Sequence, residues 1–511
     1  MLVVFKFQDM LLPYFSDELW VYGPSVRKMG IYGPSMFPNS LALEDHWGHP
    51  LMFFFLGGIW CLIFGVSIFS THLFASTLSV ILLISIYIIG RNLFNKEVGF
   101  YTVLIFATQS IFHGQFSLVL PEVMLTIFTL LTIYFHYKKK QVPYLLFGIC
   151  LVLTKESGVF PIAAIIIWSF IKDFLYKEEK FYLKQTIKKY IILSLPLLVL
   201  GFHFVLLKII YGWFLMPIRV EAFEFNWEIY HERIMHTMHY VFIGQGRRPI
   251  IIVLFISAIL FNRKYPVWVR LLVIVTAFSM MKIFFKYWIL PDLLSMIVIP
   301  ILLISLLKLF FWDIYKTNNK HGNIISIFSI FIVIYILFSS AQFDSLRYLL
   351  CVIPIYIMIG LYFVQKISYV KKVILPLVTV VSICFSFYYM SSDSNFGDDT
   401  NNYSDVCKSR IEAIKFLEED DNYSRTIKAP FLFRHAIERP LAGYLESNKV
   451  FTNVVPIDNR MHNCSSCFYV FESIDLSEHY KSIAQSSIFE LIHRTENNSI
   501  WIEIYSKKHA L

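Results

Sequence analysis

Long apolar runs, separated by short polar segments, recur along the first 390 residues of the chain. An α-helix needs about 20 residues to cross the hydrocarbon core of a bilayer, and most of these runs approach that length. The pattern predicts twelve spanning helices, near residues 73–90, 97–113, 118–135, 142–155, 157–171, 190–210, 250–262, 267–285, 293–312, 324–341, 347–365 and 373–390. We therefore expect an all-α polytopic membrane protein with about 12 to 13 transmembrane helices.

Basic residues between the runs predict which loops face the cytoplasm, since short cytoplasmic loops concentrate Lys and Arg. Every second loop is basic, as at 91–96, 138–140 and 172–189. The apolar segment 51–69 could also cross the membrane, but a crossing there would invert every later loop and place 138–140 outside. We therefore predict a re-entrant or interfacial helix at this position, which is tolerated where it is buried against protein.

The N-terminal residues predict an incomplete first helix, because Lys6, Gln8 and Asp9 interrupt the apolar run before Asp17. They do not indicate a signal peptide, since no small-residue cleavage site follows. The first ordered feature is expected to be an outer loop with the re-entrant helix, at 16–72. Both belong to a transmembrane domain that we predict to occupy residues 1–390.

The chain changes character at residue 391, where a polar linker begins. Helical apolar spacing follows at 406–417, and the strand-like runs are 426–432, 450–455, 468–471, 489–493 and 500–505, the last two joined as a hairpin. These features predict a small soluble α/β domain at 391–511. Because twelve spans that start outside also end outside, this C-terminal domain is expected to be extracytoplasmic.

Composition and charge agree with a membrane protein and exclude a soluble single-core domain. Only 16% of the residues are charged, against about 25% in soluble domains. Residues 391–511 contain 13 basic and 18 acidic side chains, a net −5 of the total +9, so residues 1–390 carry +14. A basic excess in the most apolar part of a chain indicates cytoplasmic loops, and we therefore expect membrane lipids but no nucleic acid as partners.

The seven cysteines predict no disulfide framework, because they are spread thinly and Cys61, Cys150, Cys351 and Cys384 lie in apolar stretches. Cys464 and Cys467 cannot make a four-cysteine zinc site, since there is no second such pair. In an oxidising space we expect either a short-range disulfide or a pairing with Cys407.

Ionisable residues at the predicted membrane boundary are the candidate chemistry, since a charge within a bilayer is expensive and tends to be functional or paired. The most prominent cluster is Ser16-Asp17-Glu18-Leu19-Trp20, where the outer loop begins. Two adjacent acids at a helix start are also simply favourable N-terminal charges on the helix dipole. Spacing alone does not decide between these two interpretations.

The order of several motifs gives the acidic pair a context. Gly48-His49-Pro50-Leu51 leads into an aromatic-rich helix, and Pro121-Glu122, Leu153-Thr154-Lys155-Glu156-Ser157-Gly158 and Arg347-Tyr348-Leu349-Leu350 follow in turn. Over about residues 16–390, this order resembles the GT-C membrane glycosyltransferases, in the branch of protein O-mannosyltransferases and aminoarabinose-lipid A transferase. The resemblance implies transfer of a sugar from a polyprenyl phosphate to an acceptor, with inversion, at the outer face of a bacterial cytoplasmic membrane.

The resemblance also implies roles for the acids. Asp17 matches the family's catalytic aspartate, which would accept the proton of the acceptor hydroxyl as that oxygen attacks the sugar. Glu122 matches a second outer-loop acid, commonly an aspartate, that would hold the acceptor or a metal; a plain acid at a helix start is the alternative. Glu18 is included among the substrate-binding candidates.

The remaining candidates would bind donor or acceptor. Arg347, with the adjacent Tyr348, is the best candidate for gripping the lipid phosphate, although an interfacial arginine that snorkels is the alternative. His49 stands where the aminoarabinose branch has a lysine, and a structural histidine is as plausible. Lys155 would face the phosphate and Glu156 the sugar, or Lys155 is a boundary lysine held by a nearby acid.

Other possibilities remain open from sequence. No metal ligand set is assigned, although a divalent cation is possible; Glu44-Asp45-His46 could bind one, but a solvated charge cluster is the better interpretation. The acceptor could be a lipid, a glycan or a protein. The rival functions are a lipid-linked-sugar transporter or flippase, which would show paired broken segments in two halves, and a non-catalytic assembly subunit with the same fold.

Overall fold

The computed structural model describes residues 6–175, 183–221, 226–252, 321–341, 345–366, 371–392, 396–419, 422–446, 449–457 and 467–508. Within these ranges five helices are long and apolar enough to cross a membrane, namely Ile68–Leu93, Glu156–Phe174, Lys184–Tyr211, Gly322–Ser340 and Lys372–Ser392. Four shorter apolar helices are Met52–Phe64, Glu122–Tyr137, Gln141–Thr154 and Ile353–Gln365. The predicted helical, polytopic architecture is confirmed. The count of spans stays a prediction, because 267–285, 293–312 and most of 250–262 lie outside the described residues.

Two predicted spans have different starts or ends in the structure. The span at 97–113 is interrupted: one helix, Lys96–Ala107, ends before the extended residue Gln109, and a second, Ser110–Gln115, follows. The span at 347–365 begins as a 3₁₀ turn, Leu346–Cys351, and continues as the α-helix Ile353–Lys366. Apolar composition cannot reveal such breaks, since both sides of the break are equally hydrophobic.

Two helices present unbroken apolar surface to the outside. Leu183–Tyr211 exposes large hydrophobic side chains on one side, among them Ile187, Ile191, Leu198, Phe202, Val205 and Ile209. Lys371–Ser392 does the same with Val373, Leu377, Val380 and Phe387. Exposed apolar stripes of this size are unfavourable in water and are the surface that lipid covers.

The helix Met52–Phe64 is one of the four shorter apolar helices and packs on the outer loop. Its 13 residues rise only about 20 Å at 1.5 Å each, against a core of about 30 Å, and it ends at Gly65 with φ +89°. Gly57 and Gly58 let it pack closely on the helix Gly23–Tyr32, since a Cβ at either position would come within 2.7 Å of Val26 or Met29. A short helix packed on the outer loop is compatible with the predicted re-entrant or interfacial element.

The C-terminal part forms the expected small α/β module. Its strands are β1 Ile427–Lys428, β2 Val454–Val455, β3 Phe468–Glu472, β4 Phe489–Asn497 and β5 Ile500–Lys507. They form one mixed sheet in the order β2-β1-β3-β5-β4, with the predicted hairpin between β4 and β5. The helices of the module are Tyr403–Glu419, Phe431–Glu438 and Tyr480–Ala484.

Two predicted strands of this module are largely wrong, and of these 450–455 gives only the two-residue β2. Residues 426–432 give only the two-residue β1, because the chain turns at Pro430 and Phe431 begins a helix. The apolar residues Phe433, Ala436 and Ile437 recur at helical spacing and are buried. The short apolar run before these residues has a composition that suits a strand or a helix equally well.

The outer loop and the C-terminal module share a hydrophobic core. Tyr14, Phe15 and Leu19 of the loop lie in the same buried cluster as Tyr403 and Ile414 of the module. The Tyr444 hydroxyl donates to the carbonyl of Tyr14 at 3.0 Å. The module is therefore packed against the loop that carries Asp17, and the division at residue 390 stays a prediction.

Cys467 is disulfide-bonded, whereas Cys407 is a free, buried thiol. The predicted alternative of a bond between Cys467 and Cys407 is therefore wrong. The other predicted partner, Cys464, lies outside the described residues.

Candidate active site

Four separate chain segments bring ionisable residues to one place, and each contributes from the end of a helical element. Asp17 directly precedes the π-helical turn Glu18–Tyr22. Glu122 is the first residue of its helix and follows Pro121, which has no backbone N–H to be satisfied. Lys155 follows the last residue of the helix Gln141–Thr154, and Arg347 lies in the 3₁₀ turn before Ile353–Lys366. These four helix ends lie close together, and their side chains therefore form one cluster.

Arg347 is the centre of this cluster. Its side chain is almost completely buried, and its two terminal nitrogens donate to the carboxylates of Asp17 and Asp398. Its Nε lies 3.6 Å from Oε1 of Glu122. One planar guanidinium therefore faces three carboxylates, a geometry that an ammonium group cannot reproduce. This arrangement excludes the alternative of a snorkelling interfacial arginine.

Lys155 is the second cation of the cluster. Its Nζ donates to Glu122 Oε1 at 2.7 Å and lies 3.7 Å from the centre of the Tyr348 ring. The Tyr348 hydroxyl is 3.3 Å from the guanidinium of Arg347. The alternative of a boundary lysine held by a nearby acid is thus realised, with Glu122 as that acid. Pairing with Glu122 still leaves Lys155 beside Arg347, so two positive charges stand together.

Glu122 lies between these cations and is almost completely buried. Its Oε1 serves both Lys155 and Arg347, whereas its buried Oε2 has no hydrogen-bond partner within the part of the chain that the structure describes. A buried carboxylate oxygen normally has a partner. Oε2 is therefore a carboxylate oxygen of this cluster whose hydrogen-bonding capacity is unused within the described residues.

Asp17 is held from two sides and still reaches the surface. Its Oδ1 accepts a hydrogen bond from the Trp20 indole at 2.9 Å, its Oδ2 pairs with Arg347, and its side chain is 28% exposed. Burial alone would raise the pKa of Asp17, but the charge and hydrogen bond of Arg347 and the bond from Trp20 outweigh it, and the pKa lies below its ordinary value. Asp17 is therefore an ionised acceptor at neutral pH.

Glu18 does not join the cluster. Its fully buried carboxylate accepts hydrogen bonds from the backbone N–H of Phe15 at 3.1 Å and of Val119 at 2.6 Å, and pairs with His72 at 2.8 Å. These partners tie the start of the outer loop to two neighbouring segments. These contacts indicate that Glu18 positions the loop, and the expected substrate-binding role stays a prediction.

His49 and Glu156 form a separate pair, with Nδ1 of His49 3.0 Å from Oε2 of Glu156. The adjacent residues Lys155 and Glu156 thus point to different partners, as expected from their spacing. Tyr22 lies between this pair and the cluster, because its ring is 6.2 Å from that of His49 and it is electrostatically coupled to Glu122. Burial raises the pKa of Tyr22 well above its ordinary value.

Among the described residues, no group of three or more His, Cys, Asp or Glu side chains is arranged to hold a metal ion. The possible cation-binding run is used otherwise: Asp45 is buried and pairs with Lys28 at 2.7 Å, and His46 Nδ1 accepts from the backbone of Gly48. The expectation of a solvated charge cluster is therefore wrong for Asp45. Its charge is buried because a lysine neutralises it.

Three residues around Arg347 were missed by sequence reasoning. Asp398 lies in the predicted polar linker, Ser16 donates to Asp398 at 3.1 Å, and Trp20 donates to Asp17. Ser16 adopts φ +53°, an uncommon conformation that marks a constrained turn. The pattern Ser16-Asp17-Glu18-Leu19-Trp20 contained two of these residues, but Asp398 has no signal in the sequence beyond its charge.

Comparison with known proteins supports the resemblance drawn from the motifs. Residues 48–200 match the sequence model of the dolichyl-phosphate-mannose-protein mannosyltransferase family. Among the curated proteins, none matches the sequence at a significant level.

Two solved structures of ArnT from Cupriavidus metallidurans align with almost the whole chain. The structure bound to undecaprenyl phosphate has a TM-score of 0.50 at 11% identity and covers 98% of this chain and 96% of that one. The apo structure has a TM-score of 0.51 at the same identity, and covers 98% and 97%. The chain therefore has an ArnT-like GT-C fold. The family match and this fold together indicate a membrane glycosyltransferase of the GT-C type, and the resemblance is confirmed.

Proposed function

We propose that this protein transfers a sugar from a polyprenyl-phosphate donor to an acceptor at the outer face of a bacterial cytoplasmic membrane, with inversion at the anomeric carbon. The observation that carries the proposal is the convergence of Asp17, Glu122, Lys155 and Arg347 from four distant segments. This constellation combines an ionised, partly exposed carboxylate with two adjacent cations. Such a combination suits the attack of a hydroxyl and the departure of a phosphate in one step.

Asp17 is the proposed base. In the step we propose, the acceptor oxygen forms a bond to the anomeric carbon, the bond from that carbon to the phosphate oxygen breaks, and the hydroxyl proton passes to the Asp17 carboxylate. The bonding electrons leave with the polyprenyl phosphate. Although Trp20 and Arg347 engage both oxygens of Asp17, a carboxylate offers about four lone-pair positions, so an acceptor hydroxyl can still bind.

Arg347 and Lys155 are the proposed phosphate-binding cations. Negative charge grows on the phosphate as it leaves, and cations already fixed in place stabilise it without reorganisation. Both cations are fixed here: Arg347 by Asp17 and Asp398, and Lys155 by Glu122 and the Tyr348 ring. Their pairing with carboxylates also makes burial of two positive charges affordable before substrate arrives.

Glu122 and the pair of His49 and Glu156 are proposed to bind sugar or acceptor hydroxyls. The unpartnered Oε2 of Glu122 can accept such a hydrogen bond. The ArnT structure is described as bound to undecaprenyl phosphate, and this is the donor carrier we propose for the present chain. The sugar could reach an acceptor that is a lipid, a glycan or a protein.

A transfer assay distinguishes this function from transport. The purified protein is incubated with polyprenyl-phosphate-linked hexoses and pentoses and with a membrane-lipid, glycan or peptide acceptor. We expect release of polyprenyl phosphate only when an acceptor is present, and a product of inverted anomeric configuration by NMR. Movement of the intact donor across proteoliposomes without cleavage would instead identify a flippase, and retained configuration would overturn the single-displacement step.

A further inference from the structure

Residues 396–402, which directly precede the first helix of the C-terminal module, are packed into the protein. Asp398 and Thr400 are buried, although their sequence is that of a polar linker. Ser110 donates to the carbonyl of Asp399 at 3.1 Å, and Lys6 donates to the side chain of Asn401 at 2.9 Å. Both contacts hold the chain directly after Asp398.

Gly114 shows how closely this segment approaches the helical domain. A Cβ at this position would lie 2.7 Å from the backbone nitrogen of Thr400 and 2.8 Å from the carbonyl carbon of Asp399. Backbone atoms cannot move aside as the end of a flexible side chain can. The placement of residues 397–400 therefore depends on a residue without a side chain at position 114.

The placement delivers the Asp398 carboxylate to Arg347. Asp398 accepts from one terminal nitrogen of the guanidinium and from the Ser16 hydroxyl, while the other terminal nitrogen is taken by Asp17. Two carboxylates from segments 381 positions apart thereby fix both prongs of one planar group. Without Asp398, Arg347 would be restrained by Asp17, by the Tyr348 hydroxyl at 3.3 Å and by the more distant Glu122.

From this geometry we infer that Asp398 is a positioning residue of the active site, through which the segment joining the two parts of the chain orients Arg347 toward the donor phosphate. The inference rests on the proposed function of Arg347 as a phosphate-binding cation. Asp398 is not itself proposed as the base, because its side chain is only 11% exposed whereas that of Asp17 is 28% exposed. An acceptor hydroxyl therefore reaches Asp17 more easily.

The electrostatic environment of Asp398 agrees with a role that depends on Arg347. Burial raises the pKa of Asp398, the charge of Arg347 offsets this only in part, and the negative charges of Asp17 and Glu122 add to the increase. An unpaired carboxylate at this position would destabilise the fold, since burial of a charge without a partner is costly. The one cation paired with it is Arg347, within the described residues.

The test uses Asp398→Asn in the full-length protein, with Asp399→Asn as the matched control. Both changes remove one carboxylate, and the two positions are adjacent. Asp398 is paired with Arg347, whereas the side chain of Asp399 lies close to Gly397. We expect Asp398→Asn to lower kcat/KM for the polyprenyl-phosphate donor about tenfold to hundredfold, the effect of losing one charge-assisted hydrogen bond. The KM for the acceptor should stay close to that of the parent, as should all parameters of Asp399→Asn.

Gly114→Ala provides an independent test, because it displaces the segment without changing any charge. It should lower donor kcat/KM in the same direction as Asp398→Asn and leave the acceptor KM unchanged. Equal loss for donor and acceptor in Asp398→Asn would indicate a merely structural role, and normal kinetics would overturn the inference. A loss as large as that of Asp17→Asn would make Asp398 a catalytic residue instead. If the parent shows no transfer, the proposed function itself fails, so the two failures are distinguishable.

Discussion

Replacing Arg347 with lysine separates the geometry of the guanidinium from its charge, because lysine ends in a single ammonium group without a planar fork. Arg347 donates to Asp17 through one terminal nitrogen and to Asp398 through the other, with Nε 3.6 Å from Glu122. A lysine of shorter reach keeps one of these contacts at most. The variant therefore retains the positive charge of the cluster and loses its two-pronged restraint.

The size of the effect follows from the contact that is lost. A hydrogen bond between charged groups contributes about 1.5–3 kcal/mol, which corresponds to about 10- to 150-fold in a rate or binding constant. We expect kcat/KM for the polyprenyl-phosphate donor to fall by about this factor, with little change in the acceptor KM. Arg347→Ala would be more severe, because it leaves buried carboxylates without their cation at a cost of about 3–5 kcal/mol in stability.

Steady-state kinetics with each substrate varied separately would measure this difference. Arg494→Lys is the matched control, since Arg494 is also paired with carboxylates but lies on strand β4 of the C-terminal module. The control should behave like the parent protein. A raised acceptor requirement together with unchanged donor dependence in Arg347→Lys would refute the assignment and make Lys155 the next cation to test.

The remaining predictions concern topology and stability. Single cysteines at Lys96 and Lys139 should be labelled only from the cytoplasm in intact cells and one at Tyr32 from outside, in a background without other exposed cysteines; the reverse pattern would invert the proposed orientation. Glu18→Gln should lower the thermal midpoint by several degrees, because it weakens a buried carboxylate bound by two backbone N–H groups and a histidine; an unchanged midpoint would contradict the positioning role. Arg410→Ala should destabilise the module by about 3–5 kcal/mol, since it leaves a buried carboxylate unpaired; loss of transfer without loss of stability would count against this.

The helical architecture and the small C-terminal sheet could be predicted from sequence because both depend on repeated local patterns. Apolar length identified the membrane helices, and alternation identified the β4–β5 hairpin. The break after Ala107 and the helix beginning at Phe431 could not be predicted, because the apolar residues around them suit several elements equally well.

The candidate site residues that belong to a recognisable motif could be predicted from sequence. Those that are placed only by tertiary contacts could not. Asp17, Glu122, Lys155 and Arg347 were identified from an ordered set of short motifs, and the structure brings them together. The partners of Glu18 could not be predicted, because His72 and Val119 are distant from it in sequence. Asp398 was missed because a charged residue in a polar segment has the same composition whether it is solvated or paired.

The most direct test of the central claim is the rate of sugar transfer by purified Asp17→Asn. The substitution removes the proposed base with little change in volume and leaves an oxygen that can still accept from Trp20 or Arg347. Single-turnover measurements with a saturating polyprenyl-phosphate sugar should show a rate reduced by about 100-fold to 10,000-fold, with the protein folded and inserted and donor binding retained. Near-normal transfer by this variant would contradict the assignment of Asp17 as the base, and with it the proposed mechanism.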